Sequence, residues 1–234
     1  MIADNKRLSS FPGAFGRHQI LWRLVAPHLP PGELAHDRLH IGRVYHWALK
    51  LAVEAQANSD LCGAAALVHD LVPIPKNHPD RSKAGEQSAI ASGPLLAESG
   101  YSEAEAATIM SAVRTSSWSR GLEPENRVGV VLQDADRLDA IGALGIMRTV
   151  ACAQFMSTGE KPGRFYHPGD PLGQDTRDLD DKRQATDHFY RKLLKLAEGM
   201  RLETAKSEAA TRQAAMQAFL AQLGEELVGV EALP

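Results

Sequence analysis

Residues 38–57 read RLHIGRVYHWALKLAVEAQA, and the spacing of their apolar positions decides the class of fold. At about 100° per residue, His40, Val44, Trp47, Leu51 and Ala55 fall within an arc of roughly 80° on a helical wheel. The segment is therefore an amphipathic helix. His40 points toward its core side, whereas His46 falls on the outer side. A single inward histidine is ordinarily a hydrogen-bonded core residue, so its meaning depends on what else the chain brings to it.

The same helical period recurs along the 234 residues, at about 14–29, 60–71, 82–99, 102–116, 125–140, 142–157, 180–198 and 202–227. Strand signals are scarce, because aromatic residues make up 6% and no segment alternates apolar and polar side chains for long. The expected fold class is all-α. Breakers punctuate it: Pro30, Pro31 and Gly32 end the first helix, Pro73 and Pro75 the third, Gly100 the fourth, and Pro94 stands as a kink point inside the fourth. The longest irregular stretch, GEKPGRFYHPGDPLGQDTRD at 159–178, holds four glycines and three prolines. Such a loop is a lid, an insertion or a linker. The last helix has an apolar stripe, Leu202, Ala205, Ala209, Met216, Leu220, Leu223 and Leu227, that needs a partner surface. We therefore read 1–234 as a single domain: a helical core at about 14–158, the loop 159–178, and a C-terminal helical pair at 180–227 packed back on the core.

Composition narrows the function. Hydrophobic residues at 44% and charged residues at 24% are ordinary globular usage. With 26 Lys and Arg against 29 Asp and Glu, the formal net charge is −3. No basic excess is available to neutralise a phosphate backbone, which argues against duplex nucleic acid as a partner. Cys62 and Cys152 each sit in an apolar stretch and read as buried thiols in a reducing compartment. The opening MIADNKRLSSFPG lacks the apolar core of a signal peptide, and no run reaches the roughly 18 apolar residues of a membrane span. The expectation is a soluble, cytoplasmic protein without a membrane partner; oligomeric state is not encoded in any readable feature.

Two further segments carry chemistry. In AAALVHDLVPIP (64–75), His69 and Asp70 close an apolar helix just before two prolines. Neighbouring side chains on a helix diverge, but at a terminal turn an imidazole and a carboxylate can bend toward one cation. In VVLQDADRLDAIGALGIM (130–147), three aspartates interrupt an apolar helix. The wheel turns Asp139 inward, puts Asp136 at the buried edge, and leaves Asp134 and Arg137 as a surface pair. A buried carboxylate without a partner costs several kcal/mol or so, which forces pairing, protonation or metal binding. One inward histidine, a His-Asp pair and an inward aspartate thus come from three helices, a donor set suited to a divalent transition metal.

This pattern resembles the HD-domain superfamily of metal-dependent phosphohydrolases, whose signature is a His, a His-Asp doublet and a distant Asp. The matching residues are His40, His69 with Asp70, and Asp136. The phrases HDRLHIGRVYHWAL, ALVHDLV, PKNHPDRSKAGEQSA, VLQDADRLDAIGALGIMRT and DHFYRKLLKLAEGM are similar to those of its YpgQ/YedJ-like branch over about residues 34–225. The resemblance implies an all-helical fold that hydrolyses phosphate esters or anhydrides, often in nucleotides, with Mn, Mg, Co, Ni or Fe. His36 and His40 also stand four apart, as in a zinc-protease helix, but that motif wants Glu where Asp37 stands. Asp37 reads instead as a helix N-cap, and His36 as a site-lining or structural residue.

Around these ligands the sequence offers groups for a phosphorylated small molecule. The loop PKNHPDRSK carries Lys76 and Arg81 to receive substrate phosphates, and Arg43, one turn beyond His40, shares that task. Asp70 is placed to orient the attacking water as well as to ligate, and His78 and Lys76 are the candidates for general acid. Asp139 is expected to orient a ligand or an Arg beside the substrate. Relatives often carry histidines where this chain has Ser111 and Ser116, and serine hydroxyls bind such ions poorly. One metal per chain is expected. The alternatives are a non-catalytic nucleotide-binding or regulatory HD module, and an HD-type di-iron oxygenase.

Overall fold

Among the described residues nine α-helices form: α1 (Gly16–Val25), α2 (Arg38–Glu54), α3 (Ser59–Val68), α4 (Ala84–Glu98), α5 (Glu103–Arg114), α6 (Arg127–Asp139), α7 (Gly142–Met156), α8 (Ala185–Arg191) and α9 (Glu203–Glu226). The computed structural model describes residues 15–30, 32–74, 78–175 and 177–230. Within them no strand forms, only isolated bridges at Arg164 with Gln184 and His167 with Asp170. The all-α expectation holds. No single helix among these residues is long and apolar enough to cross a membrane. The chain divides into two compact units, residues 1–136 and 137–234, with the division inside α6.

In the first unit α3 packs against α1, α2, α4 and α5, and every residue from Leu61 to Val68 is buried. A helix enclosed on all sides has no polar face, which is why DLCGAAALV carries none after Asp60. Asn58 caps its start by accepting the N–H groups of Asp60 and Leu61. α5 begins with a capping box in which Ser102 and Glu105 satisfy each other's backbone N–H groups. Pro94 lies inside α4, yet the helix runs on to Glu98. Pro27 sits at the start of a short 3-10 turn, Ala26–His28, that replaces the end of the longer first helix expected from the sequence.

The buried face of α2 comprises His40, Ile41, Val44, Tyr45, Ala48, Leu51 and Ala52. Its centre therefore lies between Ile41 and Ala48, and His40 stands at its edge rather than at its middle. Trp47, on the inward arc of the wheel, is only half-buried, whereas His46 is exposed as expected. α6 departs further. Asp134 is fully buried and Arg137 only 8% exposed, so neither belongs to a surface ladder. The wheel presumes a solvent side, and this helix is buried at almost every position from Val130 on.

In the second unit α7 packs on α8 and α9. Ala205, Ala209, Met216 and Leu220 of the expected α9 stripe are buried, while Leu202, Leu223 and Leu227 are half-buried. Phe189 stacks on Phe219 with ring centroids 5.9 Å apart. Gly142 opens α7 at φ +77°, a conformation side chains disfavour. The helix expected over 180–198 is not continuous: α8 spans seven residues, and 3-10 turns follow at Leu193–Lys195 and Ala197–Gly199. Its late start at Ala185 has a cause upstream, in the stretch expected to be irregular. Arg164 N donates to the Arg183 carbonyl, and the N–H groups of Ala185 and Thr186 donate to the carbonyls of Arg164 and Phe165. These backbone groups are thus withdrawn from a helix before residue 185. Arg177 braces the same loop, pairing with Asp170 at 2.8 Å and with the fully buried Asp187 at 2.6 Å.

Candidate metal centre

Local capping sets the first candidate ligand. The Asp37 carboxylate accepts the backbone N–H of His40 at 2.8 Å, starting α2 where the sequence placed its N-cap and fixing His40 in the first turn. The second pair sits at the end of α3. His69 is its C-cap, at φ −65° and ψ −31°, and its Nδ1 lies 2.9 Å from the Ala66 carbonyl oxygen. A carbonyl only accepts, so Nδ1 carries the proton and Nε2 presents a lone pair.

That lone pair faces His40. The two Nε2 atoms are 3.2 Å apart, with both rings buried. Asp70 Oδ2 lies 3.5 Å from His40 Nε2 and 3.6 Å from His69 Nε2. Asp136 Oδ1 lies 3.7 and 3.8 Å from the same two atoms. The imidazole side chains are 0% and 2% exposed, the carboxylates 29% and 32%. Two nitrogens thus form a floor and two carboxylates a rim open to solvent. Donors bonded to one first-row cation at about 2.0–2.2 Å stand about 3.0–3.5 Å apart, so His40, His69 and Asp136 fit one divalent ion with small adjustments, and Asp70 adjoins both imidazoles. Burial pushes the Asp70 carboxyl up, but the imidazoles of His69, His40 and His36 outweigh it and hold the group well below the usual carboxylate range. His40, His69 and Asp136 are the one such cluster of metal-binding groups found among the described residues.

His36 stands beside the centre. Its ring meets that of His40 edge-on at 5.8 Å, and its Nδ1 is 2.9 Å from Glu33 Oε2. Despite partial burial, hydrogen bonds from His36 and the N–H groups of Ala35 and His36 bring the Glu33 carboxyl down to about 2. Asp139, read as inward, is 1% exposed and accepts from Arg148 Nη1 at 2.9 Å. The other expected substrate groups are placed individually. Arg43 is half-buried. Arg81 Nη1 donates to the Ile74 carbonyl at 2.6 Å, and His78, with 48% of its side chain exposed, accepts the Asp80 N–H. Both have partners within their own loop; Lys76 lies outside the described residues. Ser111 donates to Glu125 at 2.5 Å and Ser116 to the Val113 carbonyl at 2.9 Å. Both cysteines are buried thiols outside any disulfide, and burial pushes the Cys62 thiol up to about 12.

Sequence reasoning missed His18. It is fully buried in α1 and bonds Tyr45 Oη at 2.8 Å and the Asp60 carbonyl at 2.9 Å. The signal was present: His18, Leu21 and Val25 share one face at i, i+3 and i+7.

An all-helical chain whose His, His-Asp doublet and Asp converge in this way has the architecture of an HD domain. The HD domain family model matches residues 39–141. The uncharacterized protein YpgQ of Bacillus subtilis is 32% identical over 201 residues, spanning 84% of this chain and 87% of that protein. The chain belongs to the HD-domain superfamily. A crystal structure of YpgQ in complex with ADP superposes with a TM-score of 0.66 at 27% identity, covering 91% of this chain and 98% of that one. A Lactobacillus plantarum protein gives a TM-score of 0.71 at 30% identity, over 92% and 98% of the two chains. An HD-superfamily hydrolase from Bacillus thuringiensis gives 0.66 at 28% identity, over 91% and 97%.

Proposed function

We propose that this protein is a divalent-metal-dependent phosphohydrolase that cleaves phosphate ester or anhydride bonds of nucleotides. The observation that carries the reading is the convergence of His40 Nε2, His69 Nε2, Asp70 Oδ2 and Asp136 Oδ1 from three helices. The ADP bound to its relative YpgQ supports a nucleotide as the ligand.

His40, His69, Asp70 and Asp136 would hold one Mn, Mg, Co, Ni or Fe ion. When bound, such an ion polarises a phosphoryl oxygen and makes a coordinated water a stronger nucleophile at neutral pH. The chain's own groups do the rest. Buried imidazoles keep their lone pairs aimed at one point, so the donor set needs little reorganisation. The ionised Asp70, partly open to solvent, accepts a hydrogen bond from the attacking water and orients it. Lys76, Arg81 and Arg43 bind the substrate's phosphates, Arg81 by releasing the Ile74 carbonyl. Asp139 positions Arg148. The exposed His78 or Lys76 protonates the leaving group.

The test is a panel of nucleoside mono-, di- and triphosphates with each metal, measuring phosphate and pyrophosphate release separately. Turnover that requires metal and stops on chelation supports the proposal. ADP binding without turnover on any substrate would replace it with a non-catalytic nucleotide-binding module.

A further inference from the structure

A second polar cluster lies in the first unit, away from the candidate ligands. His18 of α1 sits between α2 and α3 with both ring nitrogens engaged. Nε2 is 2.9 Å from the Asp60 carbonyl and 2.8 Å from Asp60 Oδ1, both acceptors, so Nε2 carries the proton. Nδ1 then accepts from the Tyr45 hydroxyl at 2.8 Å. The Asp60 carboxylate also takes Arg17 Nε at 2.7 Å and the Tyr101 hydroxyl at 2.8 Å. One imidazole therefore ties three helices together, and its acceptor is itself held by two more groups.

Gly63 is the notch that admits the ring. A Cβ there would lie 2.5 Å from His18 Cε1 and 2.9 Å from Tyr45 Cε2, so any larger residue must displace these two rings or the helices that carry them. The contacts at Gly63 occur along the same helix pair that carries the metal candidates. α2 and α3 are successive helices in contact, and two of their pairings are visible: His40 against His69, and Tyr45 beside Gly63. The residue numbers of the two pairs sum to nearly the same value, the mark of one antiparallel register. The second pair lies about 8 Å along the helices from the first.

We propose that His18, seated over Gly63 and bonded to Tyr45 and Asp60, sets the spacing of α2 and α3 and so positions His40 against His69. It is a positioning residue that touches neither ligand. The inference rests on the metal centre of the proposed function and names what holds that centre in shape.

The experiment is a Co(II) titration of the full chain, following the visible absorption of the bound ion, beside thermal melts. Wild type, Gly63→Ala, His18→Gln and Tyr45→Phe are compared with Leu96→Ala, a cavity in α4 that removes a fully buried side chain. Gly63→Ala and His18→Gln are expected to weaken Co(II) affinity by about 10-fold, the low end of the cost of losing a group bonded directly to a metal ligand, and to alter the band shape. Leu96→Ala should lower the Tm with affinity and spectrum unchanged. If Gly63→Ala does not fold, Tyr45→Phe, which removes one hydroxyl, should still shift the spectrum. Wild-type affinity and band shape in all three variants, whatever their Tm, would overturn the inference. Absence of Co(II) binding by the wild type would instead overturn the metal centre itself.

Discussion

His40 and His69, twenty-nine residues apart, bring their Nε2 atoms to 3.2 Å of each other with both rings buried. Two imidazole lone pairs cannot face each other at this distance without a proton or a cation between them. The Ala66 carbonyl fixes the proton of His69 on the far nitrogen, so its near nitrogen accepts either a proton from His40 or a cation. The rim carboxylates of Asp70 and Asp136 supply the negative charge that a divalent ion needs.

Removing one donor from such a set leaves an open, weak site. His40→Ala, His69→Ala, Asp70→Ala and Asp136→Ala are each expected to lose bound metal and nearly all turnover while keeping their helical circular dichroism. Full metal content and wild-type rate in any of them would remove that residue from the ligand set.

Four protein donors suffice for one ion that keeps positions for water and substrate; a second ion about 3.5–4 Å away needs further donors. The hydroxyls of Ser111 and Ser116 are turned to Glu125 and to the Val113 carbonyl. Metal analysis of purified protein should therefore give close to one ion per chain. A tightly held pair would revive the oxygenase alternative.

Asp139 is 1% exposed and its ion-pair partner Arg148 is 14% exposed. Breaking a pair this enclosed leaves an uncompensated charge, so Asp139→Ala should cost about 3 kcal/mol of stability. Arg148→Ala should cost a similar amount, and the double variant less than the sum. Asp139→Asn is expected to lower activity or metal affinity about 10- to 100-fold. Denaturant melts and metal titration check these values; unchanged melts and unchanged affinity would show the pair to be dispensable.

The network around His18 gives stability an acid limb. Burial holds the imidazole below its ordinary value of 6.5 although Asp60 beside it pulls the other way. The hydrogen bond from Arg17 brings the Glu105 carboxyl down to about 2 from 4.5. Both groups bind protons more weakly folded than unfolded, so their contribution is complete above pH 6.5. It falls first as pH drops below 6.5, and again between about 4.5 and about 2. Melting temperatures measured across that range should fall in both windows. In His18→Gln the upper decline should be shallower than in wild type, and an identical profile would exclude His18 as its source.

Much of the site was legible because its parts are local. An apolar period of 3.6 residues marks a helix wherever it occurs, and Asp37 with His40, or His69 with Asp70, are neighbours whose geometry follows from one helix end. Seven of the nine helices fall within a few residues of where periodicity and prolines place them. Asp139 was turned inward by the wheel alone. The resemblance to the HD superfamily singles out Asp136 as the candidate ligand, a choice the helical wheel leaves open.

The remainder depends on groups far apart in the chain. Arg137 is buried because its guanidinium reaches the Gly199 carbonyl, 62 residues on. The helix expected from 180 starts only at Ala185 because backbone groups near 164 claim those at 183–186. His18 gains meaning only when Tyr45 and Asp60, 27 and 42 residues away, close over it. A helical wheel assigns a side chain to a face but not to a neighbour. Which polar groups can be buried is set by the partners that tertiary packing brings, since an unpaired polar group in the interior costs more than a helix face can return.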